Sequence, residues 1–289
     1  MNYKIEENKV IINLKDDFEL KQIFENGQCF RWNATNTGSY IGVVKNRVIE
    51  VETLNGEVII HNTNEEDFRN IWIDYFNLNQ SYEDFKKRLK GKNPHLDKAI
   101  DYSPGLRLLN QDEFEMIISF IISANNNIPR IKKAIDCLCK RFGSSLGIYK
   151  KTEYFSFPNS DELLKASMEE IRSCGVGFRD KYIYETTRQF NNKKEEFLSI
   201  KELERQDSIN KLKELKGVGD KVASCILLFG YSRGDMIPID TWIKKVIEKL
   251  FSEQIEGYKK PEDYFLKEFG NDLGLVQQYL FYYAREEKI

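Results

Sequence analysis

The stretch Leu215-Lys216-Gly217-Val218-Gly219-Asp220-Lys221 constrains this chain more than any other. Ahead of it, residues 207–214 have helical spacing, with Ile209, Leu212 and Leu215 on one side. Behind it, Val222, Cys225, Ile226 and Phe229 recur at intervals of three and four, which predicts a second helix over 219–229. Gly217 and Gly219 allow a tight turn and a close backbone approach, so 207–229 reads as a helix-hairpin-helix. The second helix turns its free N–H groups and positive dipole end outward, where a phosphate is the natural ligand. Lys221 then sits in the first turn, where the dipole disfavours a cation. Alone, it reads as a solvated lysine on a structural helix. The sequel changes that reading. Gly230 ends the helix, and a loop over 230–240 carries Met236-Ile237-Pro238-Ile239-Asp240. Asp240 stands near the N-cap of another amphipathic helix. An amine in such a place, followed by a carboxylate, is a candidate nucleophile with its electrostatic partner.

A chain of 289 residues, 41% hydrophobic and 31% charged, is long enough for two or three subdomains and reads as globular. No apolar run approaches the roughly 20 residues needed to span a bilayer. Met1 to Glu7 lacks the apolar region of a signal peptide. A cytoplasmic monomer is therefore expected, at the nucleoid in a bacterium. Cys29, Cys137, Cys139, Cys174 and Cys225 are odd in number and scattered, which argues against a disulfide framework. No four-cysteine cluster follows the last helix, so no iron–sulfur centre is expected. His61 and His95 are isolated and have no metal-ligand spacing, so no metal site is assigned. The net charge of −2 excludes a uniformly basic nucleic-acid binder, yet helix N-termini and a local Arg/Lys stripe can still grip a few phosphates.

The fold class is α+β, mostly α. Lys9–Leu14, Ser39–Val44, Arg47–Val51 and Glu57–Ile60 read as strands of a twisted antiparallel sheet, with turns at Thr37-Gly38, Asn46 and Asn55-Gly56. An early helix is expected over Asp17–Phe24. From Glu65 onward the texture becomes helical, with stretches at 65–78, 81–90, 94–102, 112–123, 127–142, 160–173, 179–192, 207–214, 219–229, 240–251, 261–269 and 273–286. A weak boundary near Tyr102-Ser103-Pro104-Gly105 suggests a mixed domain over 1–104 and a helical body over 105–289. Lys193-Lys194-Glu195-Glu196 reads as a solvated helix end.

Four further segments carry candidate chemistry. Gly27-Gln28-Cys29-Phe30-Arg31-Trp32 reads by itself as a turn into a strand, and Ser123-Ala124-Asn125-Asn126-Asn127-Ile128-Pro129-Arg130 as a helix–helix loop with an asparagine cap. Cys174-Gly175-Val176-Gly177-Phe178-Arg179 is a second glycine hairpin. In the last helix, Gln277 and Phe281 are four apart and share a face. In chain order these segments, with the hairpin and Asp240, resemble the 8-oxoguanine DNA glycosylase/AP lyases of the helix-hairpin-helix–Gly/Pro–Asp superfamily. The resemblance runs from Gly27 to Phe281.

That resemblance implies a bifunctional base-excision-repair enzyme acting on double-stranded DNA that contains 8-oxoguanine. Lys221 and Asp240 become the catalytic pair. Gly27, Cys225, Gln277 and Phe281 read the lesion. The Gly27 carbonyl accepts from N7–H, a proton that guanine lacks; one buried contact of this kind is worth roughly 1–3 kcal/mol. Gln277 bonds the Watson–Crick edge, and Cys225 and Phe281 sandwich the base. Asn125 fills the gap left by the flipped nucleotide, and Arg130 contacts the opposite base. Phe178 stands where the family has a wedging tyrosine, so it keeps the stacking face without the hydroxyl. Arg179, Gly217 and Gly219 join the DNA contacts. Trp242 replaces a histidine that touches phosphate in several relatives; its indole N–H can donate to phosphate, or the ring packs. No cofactor is implied, although relatives hold a structural cation at the hairpin through backbone carbonyls. A glycosylase for other damaged purines is the nearest alternative, and a non-catalytic helix-hairpin-helix DNA-binding protein needs the glycines but neither Lys221 nor Asp240.

Overall fold

The computed structural model describes residues 2–14 and 18–289. Six strands form one antiparallel sheet in the order β1-β2-β6-β5-β4-β3: β1 Asn2–Glu6, β2 Lys9–Asn13, β3 Trp32–Ala34, β4 Tyr40–Val44, β5 Arg47–Leu54 and β6 Glu57–His61. Two-residue turns close the β4–β5 and β5–β6 hairpins. Lys45 and Asn46 join β4 to β5 with φ of 44° and 61°, and Asn55 and Gly56 join β5 to β6 with φ of 53° and 78°. Positive φ at both positions matches the right-handed strand twist. The expected early helix is present as Leu20–Phe24, while Asp17 lies outside the described residues. One sheet face packs on aromatics, with Phe24 stacked 4.0 Å from Trp32 and Trp72, Tyr75 and Phe76 beside them.

Beyond the sheet a helical run from Glu65 to Tyr75 is continuous through a π turn at Phe68–Trp72. Helices Tyr82–Leu89 and Pro94–Tyr102, grouped by sequence with the first 104 residues, bury Leu89, Leu96 and Ile100 in a core shared with Ile243, Phe265 and Tyr279. A separate core surrounds helix Glu113–Ser123, whose residues 116–122 are all buried. Helices Ile128–Phe142, Asp180–Asn192 and Asp220–Gly230 contribute to that core. The chain therefore crosses between the two helical halves, and helix Asp220–Gly230 meets the second half where Leu228 packs on Gly274.

Two sequence expectations are corrected. The helix expected over 160–173 is two short helices, Ser160–Leu163 and Met168–Ile171, because Asn159 with Glu162 and Ser167 with Glu170 each form a capping box. A second hairpin was not foreseen: β7 Ser145–Tyr149 pairs with β8 Thr152–Phe155 across Lys150 and Lys151. The mixed-charge stretch at 193–196 is exposed at the end of helix Asp180–Asn192, as expected, and a further helix, Lys194–Leu198, starts there, anchored by fully buried Phe197.

Candidate active site and nucleic-acid interface

The hairpin is built by close packing as well as by local preference. Gly217 has φ of 81°, and a Cβ there would lie 2.8 Å from the Tyr182 ring, so backbone and neighbour both require glycine. From the adjoining helix, Thr186 Oγ1 donates to the Lys216 carbonyl at 3.1 Å and Gln189 Nε2 to the Glu214 carbonyl at 3.0 Å. Gly219 caps helix Asp220–Gly230 without a side chain, which leaves the first-turn N–H groups available to a ligand.

Lys221 is half-buried at this turn, with its Nζ 5.7 Å from the centre of the Phe120 ring and within hydrogen-bonding reach of the Cys225 sulfur. Cys225 itself is 3% exposed. Burial pushes its thiol up, and the nearby Lys221 charge only partly opposes this, so the sulfur is a neutral apolar wall at neutral pH. Asp240 caps helix Thr241–Leu250: its Oδ1 accepts from the N–H groups of Trp242 at 3.0 Å and Ile243 at 2.9 Å. Lys221 and Asp240 line one cavity, with no ion pair joining them within 4.0 Å. Gly27, Cys225, Gln277 and Phe281 complete its wall. Its volume, about 50 Å³, holds a few waters but no bicyclic base.

Gly27 is presented by a strap that the sequence barely marks. Its φ of 81° is stabilised by Asn26, whose Oδ1 accepts from the Gln28 N–H at 3.1 Å. Gln28 is fully buried. Its Nε2 donates to the carbonyls of Ile23 at 2.9 Å and Arg107 at 2.8 Å, and its Oε1 accepts from the Leu109 N–H at 2.9 Å. Gln111 Nε2 donates to the Gln28 carbonyl at 2.7 Å. The Gly27 turn is thus bolted to the segment linking sheet and helical body. Two ring atoms of Phe281 come within 3.8 Å of where a Gly27 Cβ would sit, so the ring closes over the turn.

The other two motifs form neighbouring surface loops. Asn125 is exposed at φ of 51°; Asn126 Nδ2 donates to the Ile122 carbonyl at 3.1 Å, and Asn127 caps helix Ile128–Phe142 by accepting from the Arg130 N–H at 3.1 Å. The Arg130 side chain is exposed. Phe178 is 64% exposed and meets Tyr182 edge-on at 6.2 Å. Arg179, expected to touch DNA, is instead buried beneath these loops. Its guanidinium donates to the carbonyls of Ala124, Val176 and Asn125, at 3.1 Å from Nε to Ala124 and 3.2 Å from Nη1 and Nη2 to Val176 and Asn125, while lying 4.5 Å from the Phe178 ring centre. A planar fork of five donors suits this binding of several backbone oxygens. Trp242 packs partly into the core, and the Lys245 ammonium stands 4.6 Å over its ring.

Residues 10–117 match the family described as 8-oxoguanine DNA glycosylase, N-terminal domain, and residues 118–269 match the HhH-GPD superfamily of base excision DNA repair proteins. The chain belongs to this family. It is 30% identical to the N-glycosylase/DNA lyase OGG1 of Arabidopsis thaliana over 92% of its own length and 77% of that relative. It is 32% identical to the N-glycosylase/DNA lyase of Saccharomyces cerevisiae over 86% and 72%, respectively. The fold superposes with a TM-score of 0.94 and 40% identity on the Clostridium acetobutylicum 8-oxoguanine glycosylase/lyase in complex with double-stranded DNA containing cytosine opposite 8-oxoguanine, covering 100% of this chain and 99% of that one. An Archaeoglobus fulgidus 3-methyladenine DNA glycosylase, at 20% identity and a TM-score of 0.75, shares the fold.

Within this family frame, three polar residues of the site escape a motif-based reading. Asn26 shapes the Gly27 turn, Gln28 ties that turn to the body, and Gln278 lines the Lys221 cavity beside Gln277. The Asn-Gln and Gln-Gln pairs were visible in the chain; Asn26 and Gln278 bond within two residues, whereas Gln28 has partners up to 83 residues away.

Proposed function

We propose that this chain removes 8-oxoguanine from duplex DNA and then cuts the strand 3′ to the lesion. The observation that carries this reading is the convergence of Lys221, Asp240, Gly27, Cys225, Gln277 and Phe281 around one cavity, from segments spread over most of the chain. Its small volume means that the base enters only when Phe281 swings away from Gly27, so binding and opening are one event. The flipped purine then lies between the Cys225 thiol and the Phe281 ring, with its N7–H on the Gly27 carbonyl. The phosphates beside it meet the free N–H groups at Gly219 and the backbone at Gly217. Asn125 takes the place of the flipped nucleotide, Arg130 faces the opposite base and Phe178 wedges beside it; Trp242 offers an indole N–H to the backbone.

In the reaction, the neutral Lys221 amine attacks C1′ as the N-glycosidic bond breaks and the base departs with a proton. Asp240 stabilises the developing oxocarbenium charge. Opening of the sugar gives a Schiff base between Lys221 and C1′, which makes the C2′ proton acidic. Loss of that proton drives out the 3′ phosphate, and hydrolysis of the imine frees the enzyme. Every step uses an amine, a carboxylate and water, so no cofactor enters. A structural cation held by backbone carbonyls of the hairpin is compatible with this scheme. Among the described residues no helix is long and apolar enough to cross a membrane. We place the protein, as a monomer, with the DNA it repairs.

The test is a cleavage assay on duplexes that pair 8-oxoguanine with each of the four bases, run with and without borohydride. Lesion-dependent strand cleavage and a covalent adduct that maps to Lys221 are expected. Absence of both on all four duplexes overturns the reading.

A further inference from the structure

The amide of Gln277 is orientated by its neighbours. The Pro238 carbonyl can only accept a hydrogen bond, so the group that faces it, at 3.4 Å, is Gln277 Nε2. Gln277 Oε1 accepts from Gln278 Nε2 at 2.7 Å. Gln278 is thereby orientated too, and its Oε1 is left buried with no hydrogen-bond partner. An unpaired buried acceptor is destabilising unless something completes it. Gln278 is 3% exposed, lines the Lys221 cavity, and belongs to none of the roles assigned above.

We propose that Gln278 is a specificity-determining residue whose Oε1 receives the exocyclic 2-amino group of the extruded 8-oxoguanine. This rests on the reading that the cavity takes that base. Along the linked amides the groups run Gln277 Nε2, a donor; Gln277 Oε1, an acceptor with a second lone pair; Gln278 Nε2, a donor already turned to that oxygen; and Gln278 Oε1, the unpaired acceptor. The Watson–Crick edge of a guanine runs O6 acceptor, N1–H donor, N2–H donor. The Gln277 amide matches O6 and N1–H, and the unpaired Gln278 Oε1 remains for the N2–H. The pocket therefore replaces the lost pairing partner with two glutamines. Adenine-type edges, with an amino group at C6 and a bare N1, oppose it at both positions. A hypoxanthine edge lacks only the contact with Gln278.

The experiment measures single-turnover excision from duplexes carrying 8-oxoguanine or 8-oxohypoxanthine opposite cytosine, for the wild-type protein and for Gln278→Leu. The wild type is expected to favour 8-oxoguanine by on the order of tenfold, the worth of one buried hydrogen bond. Gln278→Leu should slow 8-oxoguanine excision about tenfold more than 8-oxohypoxanthine excision, so that the preference disappears. Equal slowing on both bases, or a retained preference, overturns the proposal, because a merely structural role moves both rates together. Should Gln278→Leu fail to fold, Gln278→Met carries the same comparison with a more adaptable side chain. A wild type that excises both bases equally also overturns the role of Gln278, whereas a wild type that excises neither refutes the function on which it rests.

Discussion

In the base slot the polar groups are tied to the protein before any substrate arrives. Gln277 bonds Pro238 and Gln278, Asp240 caps a helix, and the Gly27 turn hangs from the five hydrogen bonds of Gln28. At the surface loops 124–130 and 175–179 the arrangement is reversed. Asn125, Arg130 and Phe178 point outward and make no side-chain hydrogen bond to protein, while the group that holds them is Arg179, buried beneath. The slot is fixed at its working atoms, whereas the loops are fixed one layer below theirs. Chemistry demands the first kind of construction, since a misplaced amine or carboxylate loses rate steeply. The work proposed for the loops, holding open a duplex, demands only a firm platform for side chains that adapt to it. Damage to the slot should therefore strike the chemical step and spare binding, and damage to the loops should do the opposite.

The sharpest division of this kind is expected from Lys221→Gln. Borohydride trapping should vanish and excision should fall by on the order of a thousandfold or more, with affinity for a lesion duplex kept within a few fold. A variant that still forms the adduct would remove Lys221 from the mechanism. Asp240→Asn comes next. Asparagine caps a helix as well as aspartate does, so the fold is retained and only the charge is lost. Excision is expected to slow by about 10²–10³-fold in single-turnover assays. A near-wild-type rate would show that the cap, rather than the charge, is what the position supplies.

The parts of this comparison that the sequence made legible share a physical character. The hairpin glycines, the Asp240 cap and the pairing of Gln277 with Phe281 are local patterns, whose meaning is set within a few residues. The strand hairpins at Asn46 and Asn55-Gly56 are local too. What stayed hidden depends on distant partners or on residues in unfavoured conformations. Lys150 and Lys151 form the β7–β8 turn with φ of 45° and 68°, where neither side chain advertises a left-handed backbone. The edge strand β1 is short of apolar residues, and β3 has only three residues. Arg179 was read as a DNA contact because an arginine after an exposed aromatic resembles one. In the structure its partners are the nearby Val176 carbonyl and carbonyls 54 and 55 residues upstream, in another loop. The helices 82–102 were grouped by chain order, but their apolar faces find their complement beyond residue 237.

Arg179→Ala tests the platform itself. Three backbone carbonyls lose a charged donor, so unfolding in urea should show a loss of about 2–4 kcal/mol, and both loops should become more susceptible to proteolysis. Arg179→Lys should restore little, because one ammonium cannot reproduce the fork. If alanine left stability unchanged and weakened DNA binding alone, Arg179 would be a DNA contact after all, and the contrast between slot and loops would fail.

Phe178→Ala is the mildest of these changes and the most discriminating. The ring is largely exposed, touches Tyr182 by an edge and covers the Arg179 guanidinium, so its removal should leave the melting temperature nearly unchanged. Stacking of one aromatic against a base is worth about 1–3 kcal/mol, which predicts roughly tenfold weaker binding to an 8-oxoguanine duplex in a titration. At saturating enzyme the rate of base removal should recover most of its value, because the slot is intact once the base has entered. Phe178→Tyr should bind like the wild type, since the stacking face is kept and only a hydroxyl is added. A Phe178→Ala variant whose excision stayed slow at saturation would mean that the wedge acts on the chemical step, and the two regions would then be one machine rather than two.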